Sequence, residues 1–104
     1  MADALRTWVE AAPLGKRDLI LHAALERFAH YGFRRTSMED IAQQAGISRA
    51  ALYLHFRNKE EIFRALGREL HERAMAAAEE AAGAARGLAA QLEAALAAKV
   101  AMFE

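Results

Sequence analysis

Strand-forming residues are so sparse in this 104-residue chain that a sheet has almost nothing to be built from. The β-branched residues are Thr7, Val9, Ile20, Thr36, Ile41, Ile47, Ile62 and Val100, all isolated from one another. No turn-flanked alternating run stands out, and such runs are the usual mark of a strand. Pro13 is the sole proline, so nothing after it must interrupt a helix. An all-α fold is the expectation. The length suits one small domain. The apolar content of 55% overstates its core, because 27 of the residues are alanines, which bury little area.

Apolar periodicity places the helices. Residues 16–30, KRDLILHAALERFAH, carry Ile20, Ala24 and Phe28 at i, i+4 and i+8, with Leu21 and Leu25 widening the stripe. Gly32 ends that pattern. A second start follows in TSMED, where Ser37 with Asp40, or Thr36 with Glu39, meets the capping-box spacing. The spacing alone leaves both pairs open. This short helix runs to Ala45 and stops at Gly46, a residue suited to the left-handed C′ position. Ser48 is placed to cap RAALYLHF, and Asn58 to cap a further helix with Glu60 and Glu61 in its first turn. That helix carries Ile62, Phe63, Leu66 and Leu70 and is expected to reach about residue 82. Beyond Ala74 alanine dominates, and Gly83 and Gly87 read as breakers before a last helix. Its stripe of Leu88, Leu92, Leu96, Val100 and Phe103 has no evident partner in the chain.

Two short helices joined through Gly46-Ile47 form the helix-turn-helix pattern, whose second helix enters the DNA major groove. Any small helical hairpin shares that topology, so side chains must decide. With Leu52 taken as inward, Phe56 and Ser48 lie within about 40° of it, at about 100° per residue. Ala50 and Leu54 then point away, with Tyr53 and Arg57 on a flank. A face that only met water would carry Glu, Lys and Gln there. Small outward residues instead permit close approach to base edges, and an aliphatic can meet a thymine methyl. Arg49 can reach a guanine, and Tyr53 and His55 can donate to phosphates.

Arg49 and Lys59 both stand at helix starts, where the peptide dipoles make a cation unfavourable by a few tenths of a kcal/mol, up to about 1. An anion at those starts reverses the sign. Charge along the chain agrees. Residues 16–73 hold 11 basic and 8 acidic residues, a balance of +3, whereas the remaining 3 and 6 give −3. A basic segment in a neutral chain fits a polyanion partner.

The segment LHAALERFAHYGFRRTSMEDIAQQAGISRAALYLHFRNKEEIFRAL resembles the DNA-binding domain of the tetracycline-repressor (TetR) family of bacterial transcription regulators. The matching residues are Thr36, Ile41-Ala42, Ala45-Gly46-Ile47-Ser48, Leu52-Tyr53, His55-Phe56 and Lys59-Glu60, within about residues 16–73. The resemblance implies a three-helix helix-turn-helix domain, then a linking helix and the start of an α-helical second domain. By residue number that gives an N-terminal arm at 1–13, the DNA-binding domain at 14–74 with its helix-turn-helix near 37–56, and an Ala-rich segment at 75–104. It also implies that Arg49, Ala50 and Ala51 read bases. Tyr53, His55 and Lys59 then bind phosphates, with Thr36 or Ser37 adding a contact. Ala50 departs from the pattern, since many members have glycine there. The expected protein is a cytoplasmic repressor that binds a palindromic operator as a homodimer. The small-molecule effector of the family would bind a second domain whose pocket is not expected in this chain.

Other chemistries find little support. Without cysteine there is no disulfide framework or thiolate site. His22, Glu26 and His30 share a helix face, yet nothing converges on them as a metal site would require. Ser48 has a capping role and no orienting acid accompanies His55, so they do not form a nucleophile–base pair. No enzyme activity and no cofactor are expected. The start, MADALRTWVEAAPLGKR, is not a signal peptide, and no apolar run is long enough to span a bilayer. The Ala-rich tail lacks the basic face of a membrane-surface helix. A protein-binding module using the Leu88–Phe103 stripe is the second reading. Trp8 either packs on the domain or belongs to a mobile arm.

Overall fold

The computed structural model describes residues 2–102, and every regular element in it is a helix. In chain order these are α1 (Ala2–Glu10), α2 (Lys16–Tyr31), α3 (Met38–Ala45), α4 (Arg49–His55) and α5 (Lys59–Met102). Helices α2 to α4 and the first turns of α5 close around one apolar centre. It contains Ile20, Leu21 and Ala24 from α2, Ile41, Ala42 and Ala45 from α3, Leu52 from α4, Phe56, and Ile62, Ala65 and Leu66 from α5.

The helix ends fix the path of the chain. Ser37 Oγ accepts from the Asp40 N–H at 3.1 Å, and the Asp40 carboxylate accepts from the Ser37 N–H at 2.9 Å. The capping box is therefore Ser37 with Asp40. Thr36 is instead buried, and its hydroxyl donates to the carbonyls of Gly32 at 2.8 Å and Arg27 at 3.3 Å. Gly46 closes α3 with φ +70°, a conformation that favours glycine. The Gly46 N–H donates to Gln43 and the Ile47 N–H to Ala42, the paired bonds of a Schellman end. This reversal sets α4 across α3. Ser48 and Asn58 cap as their spacing predicts, through the N–H groups of Ala51 at 3.0 Å and Glu61 at 2.8 Å.

One feature resolves the alternative left open for Trp8 in favour of packing on the domain, and a second differs from the sequence expectation. Most of the 1–13 arm is helix α1, docked by Trp8, which is only 2% exposed. The Trp8 indole N–H donates to Asp18 at 3.1 Å, its ring lies 4.1 Å from that of His22, and the Arg73 guanidinium lies over it at 5.5 Å. Trp8 thus wedges α1 between α2 and α5. The difference is that α5 runs unbroken for 44 residues, about 66 Å at the usual rise of about 1.5 Å per residue. Gly83 and Gly87 do not divide it. Each glycine costs a helix only about 1 kcal/mol relative to alanine, and the surrounding alanines are the best helix formers. Along α5 the side chains of Leu88, Leu92, Leu96 and Val100 are exposed; Phe103 lies outside the described residues.

Candidate nucleic-acid interface

The outer face of α4 is built by its short length and its one buried anchor. Leu52 is fully buried and Phe56 caps the helix from below, so the opposite side must face outward. There Ala50 is exposed, Leu54 is 86% exposed and Tyr53 is 42% exposed. Arg49 and His55, at the two ends of α4, are exposed as well. Ala51 is half-buried, turned partly toward the core.

Beside this face is a notch of about 550 Å³, between the start of α3, the side of α4 and the start of α5. Arg34, Arg35, Arg49 and Lys59 bring four cations to its walls, against Glu39 and Glu60. Ser37, Tyr53 and Asn58 add polar groups. Two helix N-termini open into it, each with partly free N–H groups and a positive dipole end. Such a notch accepts an anion with several dispersed oxygens, as a sugar-phosphate backbone has.

Individual residues hold definite positions in this region. The Arg49 guanidinium pairs with Glu39 at 2.8 Å and lies 5.6 Å from the centre of the Tyr53 ring. The Lys59 ammonium is largely occupied. It donates to the carbonyls of Phe33 at 2.7 Å and Arg34 at 3.3 Å and lies 4.4 Å from the Phe33 ring centre. Phe33 in turn packs tilted against Phe28 and edge-to-face against Phe63, at centroid distances of 5.3 and 5.2 Å. Lys59 therefore has a structural reason to stand at a helix start, which the sequence did not reveal. Thr36 has its hydroxyl turned inward, so of the Thr36/Ser37 pair only Ser37 presents an exposed hydroxyl. Asp40, the acid of the capping box, is held below the ordinary aspartate value of 3.8, chiefly by the Ser37 N–H and then by the Ser37 hydroxyl.

Residues 20–66 match the family model described as bacterial regulatory proteins, tetR family. That span runs from the first core residue of α2 to the last core residue of α5, and so covers the whole helix-turn-helix unit. The likeness to the tetR family thus lies in the helix-turn-helix unit. Similarity to curated proteins extends over a little more than half of the chain. The chain is 46% identical over 56 residues to the HTH-type transcriptional regulator TtgR of Pseudomonas putida, covering 54% of this chain and 27% of that protein. It is 40% identical over 60 residues to the probable acrEF/envCD operon repressor of Escherichia coli (strain K12), covering 58% and 26%. With the HTH-type transcriptional repressor Rv1474c of Mycobacterium tuberculosis it shares 41% over 63 residues, covering 61% and 34%. The chain thus spans between about a quarter and about a third of the length of these relatives.

Of the residues the sequence points to, Thr36, Ser37, Arg49, Tyr53 and Lys59 lie together on the notch, whereas Ala50, Ala51 and His55 do not line it. Sequence reasoning passed over Arg34, Arg35 and Glu39. The two arginines did carry a signal, as adjacent cations directly before a helix cap. Glu39 carried none, because an acid in a first helical turn is explained by the dipole alone.

Proposed function

We propose that the protein is a sequence-specific DNA-binding transcriptional regulator, acting as a repressor, that lays α4 in the major groove. The observation that carries this reading is the outward face of α4 (Arg49, Ala50, Tyr53 and the 86%-exposed Leu54) standing beside a notch walled by Arg34, Arg35 and Lys59, with Arg49 there paired to Glu39. Base edges would meet Arg49, Ala50 and the accessible part of Ala51. Phosphates would meet Tyr53, His55, Ser37, Arg34, Arg35 and the remaining N–H of Lys59. The similarity to proteins named as transcriptional regulators and an operon repressor supports the same assignment.

The reading extends to assembly. Dimeric helix-turn-helix proteins bind two-fold symmetric sites whose half-site spacing matches the protein. We assign a palindromic operator and a homodimer, with the exposed Leu88–Val100 stripe of α5 as a face that assembly would cover. A small-molecule effector would act through a second helical domain, with α5 as its connection to the DNA-binding unit. A regulator of this kind works in the cytoplasm, and among the described residues no helix is long and apolar enough to cross a membrane.

Selection of bound sequences from random duplex DNA tests the proposal. A palindromic consensus is expected, and Arg49→Ala should lose about 1–3 kcal/mol of specific binding and relax the preference at one base pair per half-site. An equal loss on every single-base variant would make Arg49 a phosphate ligand only. Failure of the chain to retain any DNA at low salt would overturn the reading as a whole.

A further inference from the structure

Glu39 is an acid in a cationic notch, and nothing in the helix it belongs to requires it there. The start of α3 is already capped by the reciprocal Ser37–Asp40 bonds, and Asp40 already complements the dipole. The Glu39 carboxylate turns away from its own helix and meets Arg49 on α4 at 2.8 Å. The two side chains are 68% and 64% exposed, and ion pairs so exposed stabilise a fold very little. The pair is placed where DNA would arrive.

We propose that Glu39 is a specificity-determining residue, which directs Arg49 toward neutral base edges and away from phosphate. The inference rests on the DNA-binding reading above. A guanidinium has five N–H donors in a fixed fork. One side of the Arg49 fork is held by Glu39, and the donors on the other side stay available for a purine O6/N7 edge. The pair as a whole carries no net charge. A phosphate therefore gains little from it, since attraction to Arg49 is offset by repulsion from Glu39. A purine O6/N7 edge carries only partial charges, so it feels that repulsion far less than a phosphate does and keeps most of the geometric benefit of the fork. Lone arginines grip any backbone phosphate, and that raises non-specific binding along with specific binding. Arg49 escapes that fate because its counter-charge travels with it. Tyr53, against whose ring Arg49 also lies, limits the guanidinium to the same sector.

The test compares the chain with Glu39→Gln and Glu39→Asp, on the selected duplex and on a random duplex, across a series of salt concentrations. Freed from its acid, Arg49 becomes a phosphate ligand. In Glu39→Gln, binding to random DNA should then tighten about five- to tenfold at about 0.1 M salt, and the salt slope should steepen by about 0.9. Affinity for the selected site should change by less than about threefold, so the specificity ratio falls, and Glu39→Asp should keep it near wild type. In an Arg49→Ala background, Glu39→Gln should leave the salt slope unaltered, because the effect passes through Arg49. An unchanged ratio and slope in Glu39→Gln would overturn the proposal, as would an equal gain on both duplexes or a full gain without Arg49. Absence of salt-dependent binding by the wild-type chain would instead overturn the DNA-binding reading itself.

Discussion

Lys59 gives the sharpest test of the structure, because two physical effects predict opposite signs for its removal. If Lys59 were an ordinary solvated cation at the start of α5, removing it would relieve a dipole conflict and stabilise the fold by about 0.3–1 kcal/mol. The structure shows an ammonium that donates to the Phe33 carbonyl at 2.7 Å and lies 4.4 Å from the Phe33 ring centre. A charge-assisted hydrogen bond contributes about 1.5–3 kcal/mol, and a half-exposed site belongs at the low end. The cation–π contact adds about 0.5 kcal/mol. The 3.3 Å bond to Arg34 is long and exposed and adds little. Setting these against the dipole relief, Lys59→Met should destabilise by roughly 1–2 kcal/mol. For a domain of this size that lowers Tm by roughly 5–10 °C. Methionine keeps the length and apolar stem of the side chain, so the loss reports the ammonium and not the packing. Thermal melts followed by circular dichroism read it directly. A variant as stable as the wild type, or more so, would refute the reasoning and show that the carbonyls gain nothing over water. Its DNA salt slope is a separate reading. A fall of about one unit is expected if the remaining N–H meets a phosphate.

The α1 dock and the α3 cap each carry a test of their own. Trp8→Ala should cost about 3 kcal/mol, at the lower end for a buried tryptophan because α1 lies at the edge of the core; an unchanged melt would show that α1 contributes nothing. Asp40 predicts an acid limb. Its carboxyl is held below 3.8 in the fold, so its stabilisation is fully present above that pH and is lost as pH falls through the folded value. Asp40→Ala should lower Tm at neutral pH and converge on wild type in strong acid, and a constant gap between the two melts down to the lowest pH would count against the capping box.

How much of this was legible in the sequence depended on whether a feature was local. Gly46, Ser48 and Asn58 act within three or four residues of themselves, and their spacing was enough to place them. The Ser37 and Thr36 alternatives were also local, but they were equivalent on spacing. They separated only because the turn after α2 brings the Gly32 and Arg27 carbonyls, four and nine residues back, to the Thr36 hydroxyl and draws it inward, a path that cap spacing does not encode. Trp8 could not be placed for a similar reason. Its partners Asp18, His22 and Arg73 lie ten to sixty-five residues away, on two other helices. Gly83 and Gly87 misled in the opposite direction. Glycine is a breaker only when the neighbouring propensity is weak, and here it stands among alanines.

Arg49 and Lys59 mark the point at which a local window stops being informative. Both share one electrostatic oddity in sequence, a cation at a helix start, which a single ligand, an anion, would account for. The structure gives each a protein partner, but the partners differ in kind. Lys59 meets carbonyl oxygens, which carry partial charge and leave its net charge intact, so it can hold the α2–α3 turn and still attract a phosphate. Arg49 meets a full carboxylate, which cancels its charge and leaves only the geometry of its donors. The same oddity in sequence therefore yields two different recognition elements. On the DNA-binding reading proposed above, Lys59 would contribute to affinity for any duplex and Arg49 to the choice among them. That distinction lies in the partner's charge, which is set 25 and 10 residues away along the chain, beyond the reach of any single helix pattern.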